Sequence, residues 1–111
     1  MLFLYLNFKA KPSFLEPLPG IHTVPKGTSV LMSCTVEGNP PPDITWLRNN
    51  KPLKDEPGDI KIDLQGNIST LSVGQCELQD EGNYVCVAEN HLGQISCCTK
   101  LEVQGNIKNN T

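Results

Sequence analysis

The residues of this 111-residue chain predict an all-β fold, an antiparallel sandwich or barrel, on three observations. Apolar and polar residues alternate over several short runs, which is the period of a half-buried strand. Nine glycines and nine prolines punctuate the chain, so the runs between turns are short. No apolar period of the helical kind lasts beyond a single turn, so no long helix is expected. The length suits one domain with a core of its own.

The elements follow in order. The apolar start, residues 1–6, lacks a basic flank and a small-residue cleavage site. It is shorter than a secretory signal or a membrane span requires, and reads as a leading strand or a fragment boundary. Residues 1–10 are read as an extension before a domain over 11–104, and the polar, Asn-rich stretch 105–111 as a flexible tail. Residues 12–15 and 21–24 are short edge strands, interrupted by Pro17 and Pro19. Over 28–37, Val30, Met32, Cys34 and Val36 share one face, with Ser29, Ser33, Thr35 and Glu37 on the other. Gly38-Asn39-Pro40-Pro41-Pro42 stops that strand, because proline cannot donate to a ladder. Residues 43–48 resume extension, with Ile44 and Trp46 on one face, and after a turn 51–53 form a short edge strand. Residues 59–64 turn Ile60, Ile62 and Leu64 to one side; Gln65-Gly66-Asn67 reverses the chain, and 67–73 brings Leu71 and Val73 inward. Residues 75–81 are the best short helical candidate. Over 82–89, Tyr84, Cys86 and Ala88 share a face; Asn90-His91-Leu92-Gly93 is a hairpin connection. Residues 94–103 close the domain with Ile95, Cys97, Thr99, Leu101 and Val103 on one side.

Composition excludes several function classes. Nine Lys+Arg against 12 Asp+Glu give a net charge of −3, which argues against nucleic acid and anionic membranes as partners. Glycine-rich phosphate loops, hydrolase serine motifs and metalloprotease motifs are absent from the sequence. The five cysteines form no CxxC pair, and no His-x3-His spacing accompanies them, so a structural zinc site is not expected. His22 and His91 fall in predicted loops, far apart and without a second ligand, and read as surface histidines. Asp55, Glu56 and Asp59 are acidic neighbours, but a calcium site needs more oxygen ligands in a defined loop. The expectation is a chain without catalytic residues, cofactor, metal or small-molecule substrate, whose task is binding rather than catalysis.

One constellation narrows the fold. Cys34 lies mid-strand, and Trp46 follows 12 residues later in the next strand. Asp80-Glu81-Gly82-Asn83-Tyr84-Val85-Cys86 ends 52 residues after Cys34. Each part has a physical job between two facing sheets. The two cysteines face inward from opposing layers, and the indole covers them with the largest apolar surface available. Tyr84 shares the inward face of Cys86, and its hydroxyl can tie back to backbone at the strand corner. Asp80 can accept a backbone N–H in the connection before it, and Gly82 permits the close turn into the strand.

With C-x11-W and D-x-G-x-Y-x-C, the chain resembles the immunoglobulin superfamily over residues 11–103. The short middle region, Asn39-Pro40-Pro41-Pro42 and the run Ala88-Glu89-Asn90-His91-Leu92-Gly93 are similar to its intermediate, or I-set, type. An inward cysteine in the final strand resembles Ig modules of the titin, twitchin and myosin light chain kinase group, the telokin-like form included. Hemicentin, peroxidasin and other matrix or adhesion proteins carry similar modules.

The resemblance implies a sandwich of seven to eight antiparallel strands, used as a non-catalytic interaction or structural module in a multi-domain protein. It implies the cytoplasm, with cytoskeletal or sarcomeric proteins as partners. The alternative is an extracellular adhesion, receptor or matrix module. Cys34 and Cys86 are then the core pair, with Trp46, Leu71, Asp80, Gly82 and Tyr84 as the core signature. The odd cysteine count favours the reduced state for that pair. Cys76 and Cys97 are expected to pack inward, and Cys98 to face solvent. Partners are expected on the exposed residues of the last strands: Asn83, Val85, Val87, Glu89, Ser96 and Cys98. Asn67-Ile68-Ser69 and Asn109-Asn110-Thr111 are glycosylation sequons, and Asn67 carries sugar only if the chain is secreted.

Overall fold

The computed structural model describes residues 8–105. The apolar start, nearly all of the predicted tail and the sequon at Asn109 lie outside the described residues. Among the described residues there are nine strands: β1 (Ala10–Glu16), β2 (Ile21–Pro25), β3 (Val30–Asn39), β4 (Asp43–Arg48), β5 (Lys51–Pro52), β6 (Ile60–Gln65), β7 (Ile68–Val73), β8 (Gly82–Asn90) and β9 (Gly93–Gln104). They form a first sheet in the order β1-β3-β7-β6 and a second in the order β2-β9-β8-β4-β5.

The count is nine rather than seven or eight because both short leading segments become strands, one in each sheet. Pro17-Leu18-Pro19-Gly20 carries the chain from one layer to the other, and Leu18 is buried between them. The crossing also makes one pair parallel, β2 with β9, where an antiparallel arrangement was expected throughout. The expected helix over 75–81 shrinks to a single 3₁₀ turn, Leu78–Asp80. Its four-residue approach, Gly74-Gln75-Cys76-Glu77, is too tightly tied to neighbours for more: Cys76 N–H donates to Thr28 O, and Gly27 N–H to Cys76 O, each at 2.7 Å.

The core sits between the sheets and contains Met32, Cys34, Val36, Trp46, Leu71, Val73, Cys76, Tyr84, Cys86, Ala88, Leu101 and Val103. Cross-strand register places them opposite one another: Met32 faces Leu71 across β3 and β7, and Trp46 faces Cys86 across β4 and β8. Leu64 departs from its expected inward role. It shares the parity of Ile60 and Ile62 but lies at the far end of β6, near the hairpin turn, and is 50% exposed. Ser69 departs in the other direction, polar yet fully buried.

Candidate interaction surface

The core constellation positions the outer face of the second sheet. Cys34 Sγ and Cys86 Sγ lie 3.4 Å apart as free thiols, one from each sheet. Trp46 is 1% exposed, and its Nε1–H donates to Ser69 Oγ at 2.9 Å. Tyr84 donates its hydroxyl to Asp80 O at 2.6 Å. Asp80 in turn accepts the Glu77 N–H at 2.8 Å and holds the Arg48 guanidinium at 3.4 Å. Gly82 has φ of +148°, and a Cβ there would stand 2.6 Å from the Asn49 side chain, so only glycine fits. The same Asn49 carboxamide accepts the Asn83 N–H at 3.1 Å, pinning the start of β8 to the end of β4. Leu71 sits on β7 between Met32 and Ile62.

Burial sets the electrostatics of the thiols. The hydrogen bond to Cys86, then burial, pushes the Cys34 thiol well above its ordinary range, with a contact to Cys97 pulling it part-way back. Burial raises Cys97 to about 11 and raises Cys76 as well. Tyr84 is raised by burial, an effect the neighbouring Arg48 partly offsets. These groups are all neutral near neutral pH and are suited to packing rather than nucleophilic chemistry. Cys97 lies directly opposite Cys86 on β9, and Cys98 is exposed on the other face.

Residues opposite one another in antiparallel strands share a face. The outer face of the second sheet therefore reads in rows. Pro52, Leu47, Val85 and Cys98 form one row across β5, β4, β8 and β9. Thr45, Val87 and Ser96 form the next, and Asp43, Glu89 and Gln94 a third. Asn83 and Lys100 stand at the opposite end. Of the residues expected on this surface, Asn83, Glu89, Ser96 and Cys98 are exposed, whereas Val85 and Val87 are half-buried. The two valines are short and lie on a central strand, with neighbours on both sides that shade them. Leu47 and Thr45 complete the surface and were missed. The signal was present, since Ile44 and Trp46 pointing inward leaves their neighbours pointing out.

The remaining polar residues serve the fold. His22 lies in β2 rather than a loop, with Nδ1 3.3 Å from the buried hydroxyl of Thr99; His91 is exposed in the hairpin turn. Asp55 accepts the Ile62 N–H at 2.7 Å, so the acidic loop supports β6. Among the described residues, no group of three or more acidic, His or Cys side chains could hold a metal ion, and no helix is long and apolar enough to cross a membrane.

Comparison with known proteins turns this geometry into a family assignment. The profile of the Immunoglobulin I-set domain matches residues 12–103. The chain belongs to the immunoglobulin I-set family. Its I-set domain is 35% identical over 98 residues to human myosin-binding protein C, slow-type, covering 88% of this chain and 8% of that protein. It is 37% identical over 97 residues to chicken fibroblast growth factor receptor-like 1, covering 85% of this chain and 19% of that protein. The I-set domain also superposes on titin domains z1z2, solved in complex with telethonin, with a TM-score of 0.84 and 27% identity, over 89% of this chain and 49% of that one. The chain thus spans less than a fifth of either curated relative's length.

Proposed function

We propose that this I-set domain is a non-catalytic protein-interaction module of a multi-domain intracellular protein of muscle or the actin cytoskeleton. The observation that carries the reading is the outer face of the second sheet, whose central rows, Leu47–Val85–Cys98 and Thr45–Val87–Ser96, hold no charge. An uncharged band flanked by Asp43 and Glu89 on a sheet face suits a protein surface better than a small substrate. Support for the muscle setting comes from the likeness to myosin-binding protein C and to titin, the latter solved with telethonin bound. The five thiols, one of them exposed, suit a reducing compartment.

A receptor or adhesion module is the second reading, favoured by the likeness to the receptor-like relative and by the exposed Asn67 of the sequon. Mass measurement of the parent protein, alkylated at the moment its own cells are lysed, separates the two. Free Cys34 and Cys86 with bare Asn67 are expected. A Cys34–Cys86 bond together with sugar on Asn67 overturns the intracellular reading. The face itself is tested by Val87→Arg with Ser96→Arg in the parent protein. Loss of sarcomeric or actin-associated localisation, with the fold retained by circular dichroism, is the expected outcome; unchanged localisation removes this face from the role.

A further inference from the structure

A second surface lies at the β5 edge of the same sheet, next to Pro52 at the end of the outer row, and rests on Arg48, Lys51 and Lys54 rather than on that row. We infer that the groove beside β5 is a docking site for an acidic segment of a partner protein. The groove encloses about 490 Å³ between the β4–β5 hairpin and the connection that leads to β8. Arg48 and Lys51 are directly opposite in the β4–β5 pair and so share its face; Lys54 lines the same groove. Three of the chain's nine cationic residues therefore meet in one place on a molecule of net charge −3.

These cations are placed rather than scattered. Asp80, whose side chain is 9% exposed, holds the Arg48 guanidinium from behind at 3.4 Å and leaves it one-third exposed. Asn49 and Asn50 both adopt left-handed backbone, with φ of 51° and 71°, and turn the hairpin back on itself. Leu53 N–H donates to Trp46 O at 2.8 Å, which ties the segment between Lys51 and Lys54 to the core strand. Among the described residues, neither Lys51 nor Lys54 has a carboxylate within ion-pair distance. A surface held in position loses less freedom when it binds, so little of its attraction is cancelled.

The other lining groups choose between anions. Pro52 and Leu53 supply apolar lining, and Asn49 and Gln79 bring carboxamides to the same groove. Carboxamides pair with peptide N–H and C=O groups, and an extended peptide offers both, along with carboxylates at alternate positions on one side. A sulfated sugar chain has the charge but not the peptide groups. The single acidic lining residue, Glu56, disfavours dense charge and leaves room for a segment with a few well-spaced carboxylates.

The test is a titration of the isotope-labelled 111-residue chain with a six-residue peptide of alternating Glu and Ser, followed by nuclear magnetic resonance. Saturable shifts are expected at Lys51, Lys54 and the side-chain amides of Asn49 and Gln79. Raising the salt weakens binding by roughly tenfold between low and high ionic strength, because the charges are exposed. Lys51→Glu with Lys54→Glu abolishes the shifts; both side chains are exposed, so the spectrum of the folded chain is retained. Absence of saturation, shifts spread over Lys61 and Lys100, or equal binding by the charge-reversed variant overturns the inference. So does saturation of the groove by a sulfated oligosaccharide that the Glu-Ser peptide cannot reproduce.

Discussion

Trp46 has one polar atom, and the fold answers it with the hydroxyl of Ser69 at 2.9 Å in the middle of the core. Ser69→Ala leaves the indole N–H buried without a partner and is expected to cost about 1–3 kcal/mol in urea unfolding. Trp46→Phe with Ser69→Ala removes both partners and recovers part of that loss. The same pair explains what alternation could and could not reveal. The inward row Val30, Met32, Cys34, Val36 was legible because every member is apolar. In β7 the parity is kept but the chemistry is not: Ser69 is buried in phase with Leu71 and Val73, where it accepts the indole N–H, and Ile68 is exposed. Hydrophobic pattern cannot announce a hydrogen-bond partner in the facing sheet. The thiols give a pH signature. Cys97 is raised to about 11 by burial, and Cys34 and Cys76 are raised with it. The unfolded thiols ionise near pH 8.5, so folding favours the protonated form and its contribution is whole below about that pH. Stability is expected to fall as pH rises from about 8.5 towards 11, in urea melts across that window. Cys97→Ala flattens part of the fall.

At the scale of elements, β6 is an edge strand that would be open to strange partners, yet each of its outward N–H groups is taken. Ile60 N–H donates to Glu56 O at 2.9 Å, Ile62 N–H to Asp55 Oδ1 at 2.7 Å and Leu64 N–H to Asp63 Oδ1 at 3.0 Å. At the opposite edge of that sheet, Asn90 Nδ2–H donates to Ala10 O at 3.0 Å, at the start of β1. Unpaired strand edges are templates for aggregation, and these caps close them. Asp55→Ala with Asp63→Ala is expected to leave the monomer folded while raising self-association on shaking, read by light scattering. An unchanged aggregation rate means the caps do not protect. Strand positions were legible to within a few residues, since turns of Gly, Pro and Asn bound them. The caps were not, because the acidic loop looks solvated until one knows which strand lies at an edge. The 3₁₀ turn at Leu78–Asp80 shows the same gap: local residues allow a helix, and the ties of Cys76 to Gly27 and Thr28 leave room for one turn of it.

Across the whole molecule, the chain passes between the two layers at every break between sheets, and the thiols of Cys34 and Cys86 meet across the gap at 3.4 Å. Cys34 and Cys86 stand 52 positions apart in the chain. Closing a loop of that length by oxidation is expected to raise stability by about 4 kcal/mol in the chain-entropy model, measured as a shift of the denaturant midpoint. A smaller gain locates strain in the bonded state. The sandwich itself was legible from C-x11-W and D-x-G-x-Y-x-C, but the assignment of β1 and β2 to different sheets was not, because the Pro17-Leu18-Pro19 crossing is a tertiary choice. That crossing has a mechanical consequence. Since β2 runs alongside β9 in the same direction, opposed pulls on the flanks of the chain slide the two past each other instead of peeling them apart. Links such as Lys100 N–H to Gly20 O and Lys26 N–H to Gln104 O are then loaded side-on and together, so the junction yields as a block under tension rather than as a zip.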